Sequence, residues 1–446
     1  MKKDSRRDFI KKSALATAGF SFAGAASASS YRRIMGANDR VNLAIWGTGR
    51  RFGAYQDILD KKYNVQLTYV VDVKKSQLEK AAERLKKSIS YKPKFVENLQ
   101  ESLDAKDVDA VINATPDHWH APGAWKAMEA GKHVYVEKPC SHNPWEGELL
   151  VYFRDKYNRV VQMGNQQRSS GHTQEIIKEI HNGIIGKPYK AVAYYSSGRG
   201  EVPRQVKQAP PSDLNWDLFQ GPAPRRPYTH DTWDYNWHWY GWDYGTAESG
   251  NNGTHELDVA RWALQVDYPN KVMVDSIKGH FVDDGWEMYD TMYATFKFDD
   301  NKVINWDGKS RNGYGTYVGG RGTVIYGSEG TVRVDRGKYE LYDRGGKLIK
   351  EAESGGDEGG MALGGGGDMS TNHLHNFFQT IRGVDKLNAP IDEGAISVHL
   401  CHLANISSRL NDKTLDVDVN NGHIFDREAM KLWKREYAPG WDPKVS

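Results

Sequence analysis

The chain has 446 residues, with 60 Lys and Arg against 58 Asp and Glu and a formal net charge of +2. Six basic and two acidic residues fall within positions 1–28, so the remainder sits near −2, a balance that points to neither nucleic acid nor an anionic membrane surface as partner. No run approaches the ~20 apolar residues of a membrane span, and two cysteines, Cys140 and Cys401, do not make a disulfide framework.

Positions 5–12 read Ser5-Arg6-Arg7-Asp8-Phe9-Ile10-Lys11-Lys12, followed by a weakly apolar stretch over 13–25. Ala26-Ser27-Ala28 then has the small-x-small form of a processing site. This order predicts a twin-arginine signal over 1–28 and a linker over 29–39. The folded protein would be delivered to the periplasm, with any cofactor already inside it.

From residue 40 the chain has doubly wound rhythm. A buried-strand run over 41–46 enters Gly47-Thr48-Gly49, and a helix-like stretch covers 52–62. A strand over 66–71 ends at Asp72, and a basic amphipathic helix covers 74–87. The strand over 108–114 runs into Thr115-Pro116, a helix over 121–130 stops at Gly131, and strands follow at 133–136 and 160–163. Alternation at this spacing predicts an α/β Rossmann domain with a parallel sheet over 40–163.

Ligands of such sheets sit at the carboxyl ends of the strands. That rule selects Gly47, Thr48, Gly49, Arg50, Arg51, Asp72, Thr115, Pro116, His118, His120, Glu137 and Lys138 as cofactor-binding candidates. The two glycines permit a tight turn and close approach of backbone to a pyrophosphate. Asp72 lies 23 residues beyond Gly49, where its carboxylate accepts ribose hydroxyls and repels a 2′-phosphate, favouring NAD over NADP. Phe52 occupies the place of the third glycine of the G-x-G-x-x-G pattern, and Gly53 comes one residue late. His118-x-His120 is taken with nucleotide packing; with no H-E-x-x-H or paired CxxC spacing, no metal is expected.

Asn113-Ala114-Thr115-Pro116-Asp117-His118-Trp119-His120, Glu137-Lys138-Pro139 and Gly253-Thr254-His255-Glu256-Leu257-Asp258 together resemble the Gfo/Idh/MocA oxidoreductases, and the resemblance extends to the 372–410 stretch. It implies a second, α+β domain over 164–446 with a large open, mostly antiparallel sheet, and helices over 372–410 that return toward the Rossmann domain. It also implies a dimer or tetramer, Lys138 and His255 as the catalytic pair, and Gln166 beside the cofactor. Where many dehydrogenases of the family carry an aspartate four residues before the histidine, this chain has Asn251, which orients a hydroxyl but accepts no proton. Asn251, Asn252 and His255 are therefore placed on the substrate side. Arg168, in Asn165-Gln166-Gln167-Arg168, reads either as a substrate contact or as a structural ion pair.

Between Trp216 and Tyr244 lie five tryptophans and four tyrosines, interleaved with Asp231, Asp234, His238 and Asp243. Aromatic faces beside carboxylates suit the C–H faces and hydroxyls of a sugar, with Trp237, Trp239 and Tyr240 as candidate contacts. The same composition suits packing against a neighbouring subunit. Residues 355–368 contain eight glycines and read as a flexible loop.

Three functions fit these observations. One is an NAD(P)-dependent oxidoreductase acting on a sugar, glycoside or polyol, with a retained cofactor because free NAD is scarce outside the cytoplasm. The second is a redox-neutral glycosidase or lyase, resembling the NAD-dependent α-N-acetylgalactosaminidases, in which oxidation, elimination, water addition and re-reduction leave no net NADH. Export and Asn251 both fit that version. The third is a non-catalytic sugar-binding protein with a structural nucleotide, against which Lys138 and His255 argue.

Overall fold

The computed structural model describes residues 39–230, 233–353 and 367–445. The twin-arginine segment, nearly all of the linker, Asp231 and most of the glycine-rich loop lie outside the described residues. Two sheets belong to one compact unit that begins at Val41. The first contains β1 (Val41–Trp46), β2 (Val65–Val71), β3 (Lys94–Val96), β4 (Ala110–Asn113), β5 (His133–Val136) and β6 (Val161–Met163), in the order β3-β2-β1-β4-β5-β6. Every pairing in it is parallel.

Alternation along the strands divides the apolar residues between two faces. Leu43 and Ile45 pack with Phe52, Tyr55, Ile58, Leu85, Phe377 and Phe378 on one side. Ala44 and Trp46 pack with Ala124, Met128, Leu150 and Phe153 on the other. Phe377 and Phe378 belong to the helix Gly367–Ile381, so this segment does return to the Rossmann sheet.

One predicted helix is absent. The 52–62 segment forms three short 3₁₀ turns, Arg50–Tyr55, Asp57–Leu59 and Lys61–Tyr63. Gly53 weakens a helix interior, and the Asp60 side chain accepts from the Lys62 N–H, starting a new turn instead of continuing one. The helix Asp117–Glu129 begins four residues before the expected 121 because Pro116 presets its entry and Pro122, in the second turn, does not break it.

The second sheet has ten strands. β7 (Pro188–Gly198), β8 (Lys271–Ile277), β9 (Thr291–Lys297), β10 (Val303–Lys309), β12 (Arg321–Gly327), β13 (Gly330–Val334), β14 (Lys338–Asp343), β15 (Leu348–Glu353) and β16 (Leu415–Asp416) form its path, and β11 (Arg311–Asn312) pairs the end of β7. The path runs β15-β14-β13-β12-β7-β10-β9-β8-β16, antiparallel except where β10 meets β7. Met292, Ala294 and Phe296 of β9 are buried while Tyr293 is exposed, the signature of a sheet covered on one face. The covering helices include Thr254–Leu264 and Ile391–Arg409, whose Leu257, Ala260, Leu400 and Leu403 join the core above the sheet. Among the described residues no helix is long and apolar enough to cross a membrane.

Candidate active site

The loop after β1 turns on Gly47, whose φ of +87° and whose place, with a Cβ there 2.4 Å from the Ala114 carbonyl oxygen at the end of β4, both require glycine. Thr48 follows, and its N–H and hydroxyl both donate to Asp72 Oδ2, at 2.8 and 2.7 Å. The Lys74 N–H donates to Asp72 Oδ1 at 2.9 Å. Burial pushes the Asp72 carboxyl above its ordinary value, and these three donors offset that rise only in part. Of the roughly four lone-pair sites of a carboxylate, one remains open on Oδ1.

Asp72 lines a cavity of about 430 Å³ with Gly47, Gly49, Leu99, Thr115 and Pro116, and Trp119, Trp237 and Trp441 line it too. Among the described residues nothing stands within 4 Å of a Cβ at Gly49. An open glycine turn, a carboxylate with a free acceptor site and a flat apolar chamber fit an adenine dinucleotide. Trp237 thus stands over the cofactor chamber rather than in a separate sugar site.

At the end of β5, Glu137 is buried and accepts from Arg51 Nε at 2.9 Å, Tyr55 Oη at 2.9 Å and Gln166 Nε2 at 3.2 Å. Burial raises the carboxyl, but the Arg51 guanidinium, Lys138 and the Tyr55 hydroxyl together outweigh it and hold Glu137 below the ordinary range. Arg51 also reaches Ser370 Oγ at 3.1 Å, whereas Arg50 stacks 4.3 Å above the Tyr235 ring.

Lys138 extends the other way, into the second domain. Its ammonium donates to the Asn251 carbonyl oxygen and lies 3.4 Å from Asn251 Oδ1. Gly250 makes this approach possible: a Cβ there would fall 1.9 Å from Thr246 Oγ1, on the side facing Pro139. Burial pulls the Lys138 pKa down to about 8, with Glu137 and Asp117 opposing the drop.

His255 stands in the first turn of the helix Thr254–Leu264 and is 5% exposed. Burial, with the positive charges of Arg336, Lys138, Arg321 and Arg51, drives its pKa well below the ordinary value and keeps it neutral. The site therefore pairs a lysine that loses its proton near pH 8, a base, with a neutral imidazole able to hydrogen-bond a reacting hydroxyl.

Several sequence-named residues have other work. Arg168 forms a two-pronged pair with Asp258, both bonds 2.8 Å, so the structural-pair alternative is the one observed. Trp239 is fully buried and stacks 4.3 Å from Trp286; Tyr240 is also fully buried, its ring against His230. Both serve the core, and as substrate contacts they are corrected here, because the aromatic block folds inward around apolar neighbours. His118 Nε2 is 2.8 Å from the Phe219 carbonyl oxygen. His120 joins two strand ends, with Nδ1 2.6 Å from the Pro139 carbonyl oxygen and Nε2 2.7 Å from that of Thr115. These two histidines brace the loops around the cavity and do not line it.

The sequence reading passed over Glu248 and Arg321. Glu248 Oε1 accepts from Asn252 Nδ2 at 2.5 Å and Asn251 Nδ2 at 3.3 Å, while Oε2 accepts from Arg199 at 2.5 Å. Arg321 donates to Glu256 at 2.8 and 2.6 Å and to Asn252 Oδ1 at 3.3 Å. Glu248, three residues before Asn251, fixes both asparagine side chains. An acid so close to a functional asparagine pair was the available signal.

Two family models match the chain: the oxidoreductase family NAD-binding Rossmann fold over residues 41–165 and the oxidoreductase family C-terminal alpha/beta domain over 170–334, both of the Gfo/Idh/MocA group. A glycosyl hydrolase family 109 protein of Saccharopolyspora erythraea is 29% identical over 240 residues, 48% of this chain and 52% of its own. The alpha-N-acetylgalactosaminidase of Shewanella oneidensis is 24% identical over 232 residues, 48% of this chain and 50% of its own. The chain thus spans about half the length of the curated relatives it matches. In fold it is similar to a levoglucosan dehydrogenase in complex with NADH and levoglucosan, with TM-score 0.63, 17% identity and coverage of 84% and 99% of the two chains. It is similar as well to the WlbA dehydrogenase of Bordetella pertussis in complex with NADH and UDP-GlcNAcA, with TM-score 0.61, 17% identity and coverage of 85% and 99%.

Proposed function

The chain belongs to the Gfo/Idh/MocA oxidoreductases, an NAD-binding family, and on that footing we propose that it oxidises a carbinol of a sugar, glycoside or related polyol with tightly retained NAD. The observation that carries this reading is Lys138, reaching from the end of the cofactor-binding sheet to the Asn251 carbonyl beside a neutral His255. Bound NAD supplies the two-electron acceptor. A carbinol is oxidised only as its hydroxyl proton leaves, and Lys138, easily deprotonated near neutral pH, takes that proton. His255 presents a neutral nitrogen to the same oxygen, and Asn251 orients the hydroxyl. The twin-arginine leader read from residues 1–28 supports a periplasmic location, where a protein must carry its own nucleotide. The uncovered face of the ten-stranded sheet, with Ile277 and Tyr293 exposed, supports a dimer or tetramer.

A second reading is redox-neutral cleavage of a glycoside. The names of the curated relatives favour it, as does Asn251 in place of an aspartate. One experiment addresses both: incubate the nucleotide-containing protein with free sugars and aryl glycosides, then separate the products. A keto sugar supports the first reading; free sugar plus aglycone, with no change in nicotinamide absorbance, supports the second. His255→Ala abolishes either activity and keeps its nucleotide. Normal turnover by that variant would refute the site assignment.

A further inference from the structure

Arg336 occupies the tight turn between β13 and β14, a turn held in place from two directions. Asp335 Oδ1 accepts from the N–H groups of Gly337 and Lys338, at 2.8 and 3.0 Å. The Asp335 carbonyl oxygen accepts from Gln167 Nε2 at 3.2 Å and lies 3.0 Å from His172 Nε2. The hairpin is therefore docked on the same Gln166–Ser169 turn that places Gln166 against Glu137.

The Arg336 guanidinium is half-buried and makes no hydrogen bond or ion pair among the described residues. It is within electrostatic reach of Arg321, Arg51, His255 and Lys138. The acid that acts on it is Glu256, whose Oε1 takes both bonds from Arg321 and whose buried Oε2 accepts no hydrogen bond among the described residues, so one carboxylate serves two guanidinium groups. Glu137 is taken up by Arg51, Tyr55 and Gln166. Burial and the neighbouring cations pull Arg336 down to about 9 against the partial opposition of Glu256, so positive charge is in excess here.

An excess cation beside Lys138 and His255 calls for an anion from outside the chain, and a guanidinium fork matches a carboxylate with two parallel bonds. The cofactor's phosphates are served elsewhere, at the glycine turn after β1, and Arg336 does not line that cavity. Arg336 and Arg321 come from the second sheet, on the side of His255. Resting on the carbohydrate reading above, we propose that Arg336, backed by Arg321, binds a carboxylate carried by the substrate, so that the preferred carbohydrate is a uronic acid or uronide rather than a neutral sugar.

The test is calorimetric titration of the full-length, NAD-loaded protein with matched pairs: methyl glucosides against methyl glucuronides, and methyl galactosides against methyl galacturonides, in both anomers. At least one uronide binds tenfold or more tightly than its neutral partner, and that preference weakens as salt is added. Arg336→Gln brings the ratio within that pair toward one, whereas Arg336→Lys, which keeps charge without the fork, retains part of it. Bound nucleotide reports whether each variant has folded, and the salt dependence of the wild-type preference tests the inference without any variant. Equal affinities within every pair, a preference that survives Arg336→Gln, or no uronide binding at all would each overturn it. Neutral glycosides bound and turned over without preference would overturn this inference and leave the carbohydrate reading standing. Uronides that bind only nucleotide-stripped protein, and that NAD displaces, would assign the cluster to the cofactor's phosphates instead.

Discussion

Lys138 is the group whose perturbation speaks most directly to the chemistry. A lysine ordinarily titrates near 10.5, and burial between the two domains brings this one to about 8. At 1.36 kcal/mol per pH unit the difference is about 3 kcal/mol, an upper figure because the side chain is partly reached by solvent. The folded state releases the proton near 8 and the unfolded chain near 10.5. Between those values the unfolded chain binds more protons, so this group's contribution to stability grows as pH rises through the window. Under the proposed role, the neutral amine is the active form in the oxidative direction. The ratio kcat/KM should therefore climb with pH and level off above about 8. Lys138→Ala should lower kcat by about 10²–10⁴ and remove the limb. Lys138→Arg, a cation at every accessible pH, should remove the limb while retaining the bond to the Asn251 carbonyl. The assay is a pH–rate profile on substrate-saturated and substrate-limited protein, with product counted in place of nicotinamide absorbance. A flat wild-type profile through pH 8, or the same limb in Lys138→Arg, would refute the assignment of Lys138 as the proton acceptor.

Other consequences are equally open to measurement. Gly47→Ala places a methyl 2.4 Å from the Ala114 carbonyl oxygen on a left-handed residue. The strain of about 1–3 kcal/mol should appear as a lower Tm and loss of co-purifying nucleotide. Asn251→Asp sets a carboxylate where Oδ1 is 3.4 Å from the Lys138 ammonium. It should move the kinetic limb upward by roughly one pH unit or more, and a gain in net NADH formation would mark this position as separating the two chemistries. Arg168→Ala strips the partner from buried Asp258. Denaturant titration should show a loss of about 3–5 kcal/mol, with KM little changed in the folded fraction; a KM effect without destabilisation would return Arg168 to the substrate.

The first sheet was legible because its signals are local. Strand runs such as 41–46 alternate large apolar residues toward two helical layers, and Gly47 and Asp72 stand at strand ends by the rule of the fold. Lys138, Asn251 and His255 were named from motif resemblance, and the chain does bring them together. The aromatic block was misread in part. Composition shows that Trp239 and Tyr240 suit a sugar face, but only the packed core shows that Trp286 and His230 already cover them. The failed helix at 52–62 has a local cause in Gly53 and Asp60, and both were visible. Arg336 was not readable. Its meaning lies in Glu256 being shared with Arg321, a balance set by residues far apart in the chain.

The central claim is that this protein keeps its nicotinamide cofactor and uses it on a carbohydrate. Its most direct test is to purify the protein without added nucleotide, denature it, and identify what is released. The account predicts close to one NAD or NADH per chain, retained through extensive dialysis and interconverted on exposure to a substrate carbohydrate. Protein that folds normally, carries no nucleotide and fails to bind added NAD would contradict it.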